Sequence, residues 1–99
     1  MAFKYILLDV AQIEYEESIQ WYAARSGPAA VNFIKAVDAA LLLICANPQR
    51  WRNKYKNYHE LGLKKYPFSI IYIINEAEEM IVVTSIYHHK RNPKNRYKK

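Results

Sequence analysis

The sequence predicts a single α+β domain over residues 1–99, with an N-terminal helical hairpin packed on a small, antiparallel-rich sheet. Three observations carry that expectation. Two near-continuous apolar runs, at residues 68–74 and 80–88, flank an acidic turn at 75–79 and read as paired strands buried on both faces. Gly27-Pro28 and Asn47-Pro48 bracket a run that is apolar nearly all round, as in a helix covered on several sides. Residues 3–8 (FKYILL) are aromatic and aliphatic enough for an opening strand. The expected order is β-α-α-β-β-β.

After the first strand, Asp9 with Gln12 three residues on has the spacing of a capping box that opens a helix. Along that helix Tyr15, Ile19, Tyr22 and Ala23 recur at helical spacing as an apolar stripe, with Glu14, Glu16, Glu17 and Gln20 assigned to the other side. Gly27 is expected just past the helix end and Pro28 at the first position of the next. The second helix, 28–46, presents Phe33, Ile34, Val37, Leu41 and Ile44 on one face. Leu42, Leu43, Ala36, Ala39 and Ala40 fill most of the rest, so the sheet, the first helix or a partner chain must cover it. Residues 49–58 read as a cationic, aromatic loop, and 60–66 as a short strand before Pro67. The helices are expected to cover one face of the sheet and to leave a groove along much of the other.

The chain has 99 residues, of which 52% are hydrophobic, so disorder is excluded and one core is affordable without staples. Cys45 is the only cysteine; it forms no internal disulfide and fits a reducing compartment. The longest fully apolar run, Ala39 to Ala46, is eight residues, against the roughly 20 that span a bilayer. The N-terminus lacks the layout of a signal peptide. A soluble, cytoplasmic protein with no membrane partner is the expectation. The net charge of +6 is uneven: residues 1–49 hold three cations against five acids, residues 50–99 twelve against four. Such a basic half calls for an acidic or polyanionic partner.

The chemistry-bearing residues cluster late. Tyr87, His88 and His89 can act as acid and base in phosphodiester cleavage, with Lys64, Lys65, Lys90 and Arg91 holding the phosphate. Strand alternation works against this set, because Tyr87 and His89 share one face while His88 lies with Ile86. A ring packed at the sheet edge explains the same residues without catalysis. Arg52, Lys54 and Tyr55 belong to a segment that interleaves aromatics with cations, as single-stranded nucleic-acid binders do, yet it suits a clamp on an acidic protein equally well. His59, His88 and His89 lack a fourth ligand at useful spacing, so no metal and no other cofactor is expected. Cys45, among aliphatic neighbours, reads as a buried structural thiol.

Taken in order, several of these pieces resemble the RelE/ParE superfamily of bacterial toxins from type II toxin–antitoxin modules. They are Ala11 and an acidic helix ending Ile19-Gln20-Trp21-Tyr22, then Gly27-Pro28 with Phe33, then Asn47-Pro48. Leu61 to Phe68 (LGLKKYPF), Ile71-Tyr72 and His88-His89-Lys90-Arg91-Asn92-Pro93 follow. The resemblance spans residues 3–97, and the long hairpin with the His-x-x-Arg-x-Pro ending is more similar to the ParE branch. It implies a toxin that binds a protein target such as DNA gyrase and has no chemistry of its own. RelE-like members instead imply a ribosome-dependent mRNA endonuclease with His89, Tyr87, His88 and Arg91 as catalytic residues. A third implication is an inactive member that retains antitoxin binding. All three imply a hetero-oligomer with a cognate antitoxin, for which exposed Leu42 or Leu43 and the basic half offer anchors.

Overall fold

The computed structural model describes residues 3–51 and 53–90, and of Lys54 only the backbone. The described elements are β1 (Lys4–Leu7), α1 (Asp9–Ala23), α2 (Gly27–Ala46), a 3-10 turn (Pro48–Arg50), β2 (Asn53–Tyr55), β3 (Tyr58–Gly62), β4 (Phe68–Asn75) and β5 (Met80–His88). The strands form one sheet in the order β1-β5-β4-β3-β2. Three pairings are antiparallel, and β1 runs parallel to β5 with Lys4 opposite Met80. The expected α+β architecture is therefore present, with one strand more than expected.

That strand is β2. It lies inside the segment expected to be a loop, because Asn and Lys are poor strand formers and mask a hairpin that turns at Lys56 and Asn57. Lys56 there adopts φ 50°, a conformation that ordinarily favours glycine. Next, β3 spans Tyr58–Gly62 rather than the expected 60–66. Beyond Gly62 the chain bends, closed by Leu63 N–H to the Phe68 carbonyl at 2.9 Å.

The helix ends also differ from expectation. Asp9 is the first residue of α1 and not its cap; no side chain caps that end, and Gln12 instead donates to Glu16 at 2.7 Å. Gly27 opens α2 instead of closing α1. Its predecessor Ser26 is the cap, accepting from Ala29 N–H at 3.0 Å, with Pro28 in the first turn. The buried stripe of α1 is Ala11 and Ser18 with half-buried Glu14, Tyr15, Ile19 and Tyr22; Ala23 is exposed. Glu14 thus faces inward, opposite to its expected side.

The core lies between the hairpin and one face of the sheet. Phe33 is its hub, with ring centroids 4.9 Å from Tyr22, 5.0 Å from Phe68 and 5.4 Å from Tyr66. Val37, Leu41 and Ile44 extend α2 over Ile70, Tyr72, Ile81 and Val83. The Tyr72 hydroxyl donates to the Pro48 carbonyl at 2.7 Å, and its ring stacks on His59, whose Nδ1 lies 2.9 Å from the Trp51 carbonyl. These contacts pin the connection that leads out of α2. By length and composition α2 would suffice to cross a membrane, yet Phe33 to Cys45 bury one side of it in this core. On the far face the expected groove is interrupted. Tyr58, Ile71 and Tyr87 form a small buried cluster there, flanked by Ile73.

Candidate functional site

The C-terminal end of β5 is where the candidate residues were expected to meet. An irregularity in the β4–β5 register falls between Ile71, opposite Ser85, and Tyr72, opposite Val83. One extra residue on β5, Thr84, is accommodated there, with its hydroxyl donating to the Ile71 carbonyl at 3.2 Å. The bulge shifts the alternation by one, so that Val83 and Ile86 both face the helices. Downstream of it, Tyr87 joins the far-face cluster, while His88 turns toward the helices beside Phe68, ring centroids 4.8 Å apart.

His89, just past the strand, lies on the Tyr87 side. Its Nε2 is 2.8 Å from the hydroxyl of Ser69, the residue opposite Tyr87, and its N–H donates to the Pro67 carbonyl at 2.9 Å. His88 Nδ1 accepts from the Lys90 N–H at 3.0 Å, which leaves Nε2 as the protonated nitrogen of the neutral ring. The two histidines thus address opposite faces. Arg91 and Arg52 lie outside the described residues, as does the side chain of Lys54.

Among the described residues, two of the grooves border the sheet. The first, of about 590 Å³, runs between α1 and the end of β5; Trp21, Tyr22, Phe68 and His88 line it, with Glu17 and Lys90 at its rim. The second, of about 350 Å³, lies between α2 and the bend after β3. It has Leu43, Trp51, Leu63 and Tyr66 along its walls and Arg50, Lys64 and Lys65 as a basic rim. Neither includes Tyr87 or His89. The expected phosphate-holding lysines are therefore divided, Lys90 beside α1 and Lys64 with Lys65 beside α2. Leu42 and Leu43 are exposed, and so is Tyr55 on the edge strand.

Sequence reasoning missed Glu14. Where β1 ends at Leu7, β5 continues without that neighbour. Glu14 Oε1 accepts from the Ile86 N–H at 3.0 Å and from the Ser85 hydroxyl at 2.7 Å, tying α1 to the edge of β5. No sequence signal distinguishes it from its neighbours Glu16 and Glu17. Burial raises the Tyr15 hydroxyl to about 12, helped by the nearby Asp38 carboxylate and by Tyr5. Burial also pushes the Cys45 thiol up, which keeps it protonated and unreactive. Among the described residues no group of three or more potential metal ligands converges.

A helical hairpin laid on a small mixed sheet, with grooves at its borders and a basic rim, defines a compact domain of the RelE/ParE architecture. The family model for the ParE toxin of the type II toxin–antitoxin system parDE matches residues 5–93, and the chain belongs to that family. It is thus a toxin of the type II toxin–antitoxin class. A chain of the chromosomal ParDE system from P. aeruginosa superposes with a TM-score of 0.72 at 16% identity, covering 88% of this chain and 96% of that one. A chain of the RelBE2 toxin–antitoxin complex from Mycobacterium tuberculosis superposes with a TM-score of 0.60 at 12% identity, covering 89% and 99%. At these identities the likeness is one of fold. No curated protein matches the sequence.

Proposed function

We propose that this toxin inhibits growth by binding a protein target, DNA gyrase, and not by cleaving RNA, and that a cognate antitoxin neutralises it. The observation that carries this reading is the division of His88 and His89 between opposite faces of the sheet. Cleavage through a 2′-hydroxyl needs an acid and a base on one phosphodiester, with cations beside it. Here His88 and Lys90 border one groove, Lys64 with Lys65 rim another, and His89 lies with Ser69 on the Tyr87 side. A binder needs only exposed anchors and complementary charge, and the grooves supply both. The basic, apolar-walled groove along α2 suits an acidic amphipathic segment of the antitoxin.

Pulse-labelling of bacteria just after induction separates the mechanisms. Thymidine incorporation is expected to fall before methionine incorporation, and purified gyrase to accumulate cleaved DNA in the presence of the toxin. An earlier fall in methionine incorporation, with DNA synthesis spared, would favour the endonuclease and overturn this reading.

A further inference from the structure

Much of α2 is absorbed by the core, but its outward face is not. Val31 is 49% exposed and Leu42 69%, an unusual solvent load for aliphatic side chains on one helix face. Lys35 and Asp38 are exposed between them. Among the described residues neither forms an ion pair, although the Asp38 charge is felt by the Tyr15 hydroxyl.

The spacing of these four is what a coiled-coil seam requires. Val31 and Asp38 are one heptad apart, as are Lys35 and Leu42, so they occupy the two alternating rows of such a seam. When two helices pack antiparallel, each row meets the other row of its neighbour at the same height. Residues 31 and 42 are centred on the same midpoint as residues 35 and 38. A two-fold axis beside that midpoint therefore matches Val31 with Leu42 and Lys35 with Asp38, each pair twice. Ala39, exposed beside the seam, leaves room for the helix axes to approach.

We propose that the outer face of α2 is a self-association surface on which a second copy of this chain packs antiparallel, Val31 against the second copy's Leu42 and Lys35 against its Asp38. The charges select this occupant, because the face complements itself: it carries one cation and one acid placed to meet each other under two-fold symmetry. The groove beside Leu43 adjoins this face through Ala39, so a second copy and an antitoxin would meet along one edge of α2. The proposal does not depend on which cellular target the toxin takes.

Sedimentation equilibrium of the purified full chain over a concentration series tests it. The wild type is expected to dimerise reversibly. Lys35→Glu or Asp38→Lys alone should weaken the dimer by about tenfold or more, since each sets like charges against each other. The double swap should restore it. All four side chains are exposed, so these variants keep the core intact. A wild type that stays monomeric, or a dimer indifferent to single reversals, overturns the proposal; antitoxin or lipid as the true cover would give the first result. The register has its own test. Mixing Val31→Cys with Leu42→Cys chains should yield a disulfide between the two variants and none in either alone. Equal cross-linking of unmixed samples would refute the stated packing.

Discussion

The two faces of the sheet are built from the same strands but hold different amounts of structure. Toward the helices, Phe68, Ile70, Tyr72 and Ile74 of β4 pack with Phe33, Val37, Leu41 and Ile44 into one continuous core. On the far side, among the described residues, Ile71 and Ile73 of the same strand cluster with Tyr58 and Tyr87. Alternate residues of one strand thus belong to a deep core and to a thin one. The contrast teaches that most of the buried apolar side chains lie under the hairpin, with a smaller buried cluster on the opposite face.

Phe33→Ala is the harshest test of that division. It empties the hub of the aromatic cluster and should remove about 3–5 kcal/mol of stability, read from urea unfolding. A loss no larger than that of a far-face truncation, Ile73→Ala, would break the comparison. Glu14→Ala acts at the seam between helix and sheet. It strands the Ile86 N–H and the Ser85 hydroxyl and should cost about 1–3 kcal/mol, whereas Glu16→Ala on the exposed side should be near neutral.

Alkaline pH probes the same face without mutation. Tyr15 ionises near 10 when unfolded and at about 12 when folded, so the unfolded chain loses its proton first. Its contribution is full below pH 10 and is lost as pH rises toward 12. Tyr72, raised by burial in the same direction, deepens the loss. Unfolding midpoints should fall across this window, and less steeply in Tyr15→Phe. The smallest effect is expected on the far side. His89→Ala removes a part-buried contact to Ser69 and should cost about 1 kcal/mol of stability. It should also leave growth inhibition intact, because a protein binder does not use that ring as an acid or base. Loss of inhibition with a folded protein would instead point to chemistry at Tyr87 and His89.

Much of this arrangement was legible in the sequence where burial writes a continuous signal. The apolar runs that became β4 and β5, and the helix from Phe33 to Cys45, left little choice of structure. What escaped was whatever depends on a single neighbour. Glu14 looks like any surface glutamate until the missing neighbour of β5 is known. β2 is hidden because it is three residues long and irregular, pairing Asn53 with His59 and Tyr55 with Tyr58 across an interrupted register. The candidate site was legible as composition but not as geometry. Alternation correctly separated His88 from His89, yet the face each would occupy depends on one inserted residue at Thr84. Lys64 and Lys65, expected on a strand, sit in a bend that turns them toward α2.

The parallel pairing of β1 with β5 has a consequence in time. Lys4 finds its partner only at Met80, so the first strand waits while nearly the whole domain is translated. A nascent chain still short of β5 has a hairpin of helices but no neighbour for β1, and the edge that Glu14 secures does not yet exist. Closing so long a loop is also slow relative to helix formation. The sheet therefore closes only after its last strand has emerged from the ribosome, so the fold is completed from its final segment backwards to its first.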